Sequence, residues 1–135
     1  VVDDAAAAGW LARRAAERAA GTAHSWAVTE NGALLGCVAV SVPGGPHGGG
    51  WVSYWTVPAA RGRGVARTAV RALASWCFDE LGLHRLELGH RVDNPASCRV
   101  ATAAGFSVEG RQREKLTYDG VRYDVELHAR LATDR

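Results

Sequence analysis

Residues 60–66, ARGRGVA, join an aromatic and β-branched run (WVSYWTV, residues 51–57) to a long stretch of helical character, residues 62–81. Glycines at 62 and 64 let the main chain bend sharply and bring N–H groups up to a ligand with no Cβ in the way. Because the turn feeds a helix N-terminus, unpaired N–H groups and the positive dipole end converge there, and an anion such as a diphosphate is stabilised. Arg63, Arg67 and Arg71 recur every four residues and add positive charge along one helix face. The same letters also suit a plain helix start, with glycines for the turn and arginines for solubility. No lysine followed by Ser or Thr closes the loop, as a nucleoside-triphosphate loop requires, and no G-x-G-x-x-G marks a dinucleotide site. Coenzyme A is the diphosphate that fits best.

The rest of the chain supplies alternating elements around this unit. Asp3 or Asp4 can cap an Ala-rich helix running to Ala20, where Trp10, Leu11 and Ala15 fall at helical spacing and Gly21 stops it. Residues 24–30 and 33–42 are strand-like and flank Asn31-Gly32, a strong hairpin signal. PGGPHGGG, residues 43–50, has too little side chain to pack and reads as a mobile surface loop. Gly82 ends the long helix, residues 86–88 begin a strand, Asn94-Pro95 opens a short helix and Gly105 closes it. Phe106 onward is extended, Tyr118-Asp119-Gly120 turns the chain, and residues 123–131 alternate Tyr123, Val125 and Leu127 against Asp124, Glu126 and His128. The five tryptophans, Trp10, Trp26, Trp51, Trp55 and Trp76, are expected mostly in the core. Helix, three antiparallel strands, helix, strand, helix and hairpin make one α+β domain over residues 1–135, with a mixed, mostly antiparallel sheet flanked by helices.

Composition narrows the partners. A formal charge of +2 is too small to indicate a nucleic-acid or anionic-membrane surface, and no apolar run reaches the length of a membrane span. Cys37, Cys77 and Cys98 form no C-x-x-C pair and indicate neither a disulfide framework nor a zinc site, so a reducing cytoplasm is expected. His24, His47, His84, His90 and His128 show no metal-ligand spacing, and no metal is expected.

Two motifs carry a family resemblance. Arg61-Gly62-Arg63-Gly64-Val65-Ala66 is similar to R/Q-x-x-G-x-G/A, the CoA-pyrophosphate signature of the GNAT acetyltransferase superfamily, and stands directly after a strand as that fold places it. RVDNPASCRVATAAGFSVEGR, residues 91–111, resembles the R-V-D-N-x-A-S…GF-x-x-EG run of the bacterial Rim-type ribosomal-protein N-acetyltransferases and their small-molecule relatives. The resemblance extends from Trp26 to Leu131. It implies acetyl-CoA as cosubstrate and an amine as acceptor, with no metal. It also implies that Trp55, Thr56 and Val57 pair with the pantetheine arm as an added strand, and that Asn94 contacts it.

The resemblance assigns Ser97 as the hydroxyl that protonates the departing thiolate and Glu109 as the base that takes the amine proton, directly or through water. Each residue has an ordinary alternative: Asn and Ser cap helices, and Glu109 can be an exposed structural carboxylate. Glu87 is the competing carboxylate. Cys98 reads as a small packing residue rather than a nucleophile. Two other functions stay open, acetylation of a free small amine and CoA binding without turnover. Family members begin with a further strand and helix, so about 30–40 additional N-terminal residues are expected. Without them a bare sheet edge and an apolar helix face favour pairing with a second copy.

Overall fold

The computed structural model describes residues 4–135. The chain runs α1 (Asp4–Ala20), β1 (Ala23–Glu30), β2 (Ala33–Ser41), β3 (Gly50–Thr56), α2 (Val65–Asp79), β4 (Arg85–Arg91), α3 (Pro95–Ala103), β5 (Ser107–Tyr118) and β6 (Val121–Leu131). One sheet of six strands has the order β1-β2-β3-β4-β6-β5. The pair β3–β4 is parallel and the other neighbours are antiparallel. This is the expected mixed α+β sheet flanked by helices. Among the described residues no helix is long and apolar enough to cross a membrane.

Local chemistry explains most of the boundaries. Asn31 and Gly32 both have positive φ, 51° and 81°, as the tight turn between β1 and β2 requires. The expected helix from Gly62 begins only at Val65, because Gly62 and Gly64 adopt φ of 77° and 75°, which no right-handed helix accommodates. Asn94 caps α3 by accepting a hydrogen bond from the Ser97 N–H at 3.1 Å, with Pro95 in the tolerated first turn. Asp3, the other candidate cap of α1, lies outside the described residues, and α1 starts at Asp4.

The core lies between the sheet and the pair α2 and α3. Val40 and Leu86 from the strands meet Val70 and Cys77 from α2, and all four are sealed from solvent. Burial pushes the Cys77 thiol pKa up to about 11, so it packs as a small hydrophobe. Two sequence expectations fail here. No tryptophan is buried: Trp10 and Trp55 are exposed, while Trp26, Trp51 and Trp76 are half-covered. Trp26 and Trp76 instead meet edge to face at 4.8 Å, one from each wall of an apolar groove of about 660 Å³ between β1 and α2. The supposed polar face of β6 is not polar in effect, since His128 is fully buried; β6 is an inner strand covered on both faces, which erases simple alternation.

Glycine matters most at position 36. A Cβ there would stand 2.3 Å from the Trp55 carbonyl oxygen across the β2–β3 pair. Gly36→Ala is therefore expected to cost about 1–3 kcal/mol through forced separation of the strands. A urea midpoint equal to that of the parent protein would show that the two strands yield freely.

Candidate active site

The parallel pair β3–β4 persists for two register positions, Gly50↔Leu86 and Trp51↔Glu87, and then the strands part. Past Trp51, β3 keeps its partner β2 on one side and loses β4 on the other. The Val57 N–H donates to the Leu35 carbonyl at 2.8 Å, which fixes that residue's main chain toward β2. Antiparallel pairs alternate every second residue, so Trp55 also faces β2, and the main-chain groups of Tyr54 and Thr56 point to the opened side. Thr56 is thus the expected strand-edge residue whose amide groups can meet an extended ligand, and Val57 does not line the cleft.

That opening forms a cleft of about 820 Å³ bounded by β3, the start of α2 and α3. Gly62, Gly64, Val65 and Ala66 form one end of it. The first α2 bond closes from the Thr68 N–H to the Gly64 carbonyl at 3.1 Å, so the N–H groups of residues 65–67 have no partner within the helix. Arg61, Arg63, Arg67 and Arg99 line the cleft, and no Asp or Glu does. Donors, dipole and guanidinium groups therefore meet at a site built for an anion. Arg63 is shared: its Nη2 contacts both Glu30 carboxylate oxygens, at 2.9 and 3.0 Å. Arg71 does not line the cleft, and Arg99 takes the place expected of it. Arg99 escaped the sequence reading because it belongs to the opposite helix, although it lies within the matched run of residues 91–111.

Asn94 and Ser97 lie at the α3 side of the same cleft. Asn94 uses Oδ1 to cap the helix, so its capping and cleft-lining positions coincide. Opposite them is Tyr54, a residue the sequence reading passed over. Burial pushes its phenol pKa up and the Ser97 hydroxyl pulls it the other way. The Tyr54 oxygen is sealed from solvent, yet no hydrogen bond of good geometry closes on it. A buried hydroxyl without a satisfied partner thus stands beside Ser97 at the cleft wall.

Glu109 lies elsewhere. It is absent from the cleft lining, and its carboxylate forks onto Arg85, with contacts of 2.6 and 3.0 Å. Arg85 also holds Glu87 at 2.8 Å, so one guanidinium ties both candidate carboxylates near the start of β4. The Arg85 hydrogen bonds hold the Glu109 pKa below the ordinary carboxylate range and raise that of Arg85. Closer to the core, strands β4 and β6 bring His90, Glu126 and His128 under α3 beside Cys98. The separation of 38 residues between the two histidines hides the cluster from any local spacing rule.

Residues 1–107 match the family described as Acetyltransferase (GNAT) domain. The chain is 37% identical over 84 residues to the probable N-acetyltransferase YjcK of Bacillus subtilis, covering 62% of this chain and 46% of that protein. It is 32% identical over 80 residues to the Escherichia coli ribosomal-protein-serine acetyltransferase, covering 59% and 45%. The chain thus spans about half the length of the curated relatives it matches. Among solved structures, Mycobacterium smegmatis RimJ in complex with CoA-disulfide superposes with a TM-score of 0.90 at 27% identity, over 96% of this chain and 63% of that one. A strand-split sheet with a glycine turn at the head of α2, joined to this match over residues 1–107, means that the chain belongs to the GNAT acetyltransferase family.

Proposed function

We propose that the chain moves the acetyl group of acetyl-CoA to an amine, with a protein N-terminal amine of the ribosomal-protein type as acceptor. One observation carries this: a single cleft is lined by a basic helix N-terminus, an unpaired strand edge and the hydroxyls of Tyr54 and Ser97. A diphosphate, an amide-bearing pantetheine arm and a thioester call for these three kinds of group. Gly62 to Ala66 with Arg61 and Arg63 would hold the diphosphate, and Thr56 and Trp55 would flank the arm near Asn94. The acceptor class rests on relatives named as ribosomal-protein acetyltransferases. A free small amine, or cofactor binding without turnover, is separated from it by an acceptor screen.

In the proposed reaction the neutral amine nitrogen attacks the thioester carbonyl carbon. As the C–N bond forms and the C–S bond breaks, the departing thiolate takes the Ser97 hydroxyl proton, which the serine recovers from solvent as the carboxylate returns its own to solvent. The nitrogen gives up its own proton to a carboxylate through water. Tyr54, next to Ser97, is placed to steady that hydroxyl. Glu109 is the proposed proton acceptor, and because its carboxylate lies outside the cleft on Arg85, the proton would reach it along a chain of water molecules. Arg85 keeps it ionised and ready to accept, at the cost of making it a weak base.

Three outcomes test these roles. Gly64→Asp puts a side chain and a negative charge at the turn and is expected to weaken acetyl-CoA binding at least about tenfold by calorimetry. Unchanged affinity would move the cofactor elsewhere. Ser97→Ala and Glu109→Gln are expected to lower kcat by about 10²-fold while acetyl-CoA affinity is kept. Parallel loss of affinity would make them structural residues. Mass spectrometry with labelled acetyl-CoA, offering ribosomal-protein N-terminal peptides beside free amines, identifies the acceptor.

Arg85→Gln removes the cation that favours ionised Glu109, so the Glu109 pKa is expected to rise toward the ordinary carboxylate range. The sign follows from the depressed folded pKa: the ion pair stabilises the fold above the ordinary carboxylate pKa and is lost as pH falls through the lower folded value. Carbon NMR of the labelled carboxylate reads the shift directly. If Glu109 is the base, the acidic limb of the kcat/KM profile, referred to the concentration of neutral amine, moves to higher pH in the same variant. A fixed limb alongside a moved NMR titration would exclude Glu109 from catalysis.

A further inference from the structure

Beneath α3, side chains from three elements turn their donor atoms to one point. His90 of β4, Glu126 and His128 of β6 and Cys98 of α3 have ligand atoms all within 4.8 Å of one another. His90 Nε2 and His128 Nε2 are 3.0 Å apart. One carboxylate oxygen, Glu126 Oε1, stands 3.3 Å from the first, 2.9 Å from the second and 3.5 Å from Cys98 Sγ.

The outer ring nitrogens decide what these contacts mean. His90 Nδ1 lies 2.7 Å from the Arg91 carbonyl, and His128 Nδ1 lies 3.4 Å from the Phe106 carbonyl. A carbonyl oxygen accepts and never donates, so each Nδ1 carries a hydrogen, and a ring that is uncharged in this setting presents a bare lone pair at Nε2. Two imidazole lone pairs and a carboxylate oxygen then face one another in a pocket where His90 is 8% exposed and His128 is fully buried. Such a convergence is repulsive unless a positive centre occupies it. Histidines whose far nitrogen is anchored on a backbone carbonyl are also the usual arrangement around a bound metal.

We infer that His90, His128, Glu126 and Cys98 form a binding site for a divalent transition metal of the zinc class. Four ligands at bonds of about 2.0–2.3 Å around a tetrahedral ion stand about 3.3–3.8 Å from each other. The side chains already approximate that spacing and need small rotamer adjustments to reach it. Two nitrogens, one oxygen and one sulfur suit zinc rather than calcium or magnesium, which take oxygen ligands. On binding, Cys98 releases its thiol proton to solvent and coordinates as the thiolate. With the Glu126 carboxylate, that thiolate balances the ion's double charge, so the buried site is neutral. Glu126 keeps 30% of its side chain exposed, which leaves the ion a route inward. Four protein ligands close the coordination sphere, which makes this a structural clamp tying α3 to β4 and β6. Its neighbour in sequence is Ser97, so the clamp would fix the helix that lines the cleft. The inference does not depend on acetyl transfer.

The test uses the whole chain, stripped with chelator and titrated with Co²⁺ as a spectroscopic stand-in for zinc. The expected result is one equivalent bound, with tetrahedral d–d bands and a thiolate-to-cobalt charge-transfer band, all displaced by Zn²⁺. Cys98→Ala, a small change on a half-exposed position, should abolish the charge-transfer band while circular dichroism stays the same. Glu126→Gln should weaken Zn²⁺ binding at least about tenfold. Wild-type protein should also gain thermal midpoint with added Zn²⁺, and Cys98→Ala should gain less. No stoichiometric metal in folded wild-type protein, or a charge-transfer band that survives Cys98→Ala, overturns the assignment. So does NMR showing an imidazolium proton between the rings in the presence of excess Zn²⁺.

Discussion

Main-chain N–H and C=O groups have to be satisfied wherever they are, and β3 meets that demand on one side only once it has left β4 behind. Everything else about the site follows from this exposed row. The separation makes room for a cleft, the loop after β3 carries its glycines to the cleft's end, and α2 begins there with its own unpaired donors. A ligand that brings amides and phosphate groups in sequence would satisfy both sets at once. The geometry therefore selects for a long, thin, anionic molecule rather than for a compact one.

Charge is distributed with similar economy. The cleft wall carries arginines and no carboxylate, while Glu87 and Glu109 are drawn together onto Arg85 at the far end of β4. The cleft lining is thus cationic, with Tyr54 and Ser97 among its residues, while Glu30 pairs with Arg63 from outside the lining.

Elements with local causes were legible in the sequence: the Asn31-Gly32 turn, the Asn94 cap, the glycine turn ahead of α2 and the short α3 all depend on neighbours along the chain. What could not be read depends on contacts across the sheet. Tyr54 becomes notable only because α3 folds over it, and Arg99 joins the arginines of α2 only because the two helices flank one cleft. The burial of His128 required knowing that β6 is inserted between β4 and β5, an order opposite to hairpin intuition. The tryptophans misled for a related reason: aliphatic side chains with Phe78 and Phe106 fill the centre, and Trp26 and Trp76 pack against it from the margin.

The brief contact between β3 and β4 also divides the molecule mechanically. On one side are β1, β2 and β3 with α2 resting on them; on the other are β4, β6 and β5 with α3. Two residue pairs form the main-chain seam between these blocks, and side-chain packing of α2 near α3 supplies much of the rest. A seam so short leaves the joining of the blocks to the apolar core that runs across it, where Leu86 and Leu88 of β4 share one buried cluster with Val40, Val52 and the α2 residues Val70 and Cys77. An elongated guest lying in the gap would touch both blocks and add a second tie between them.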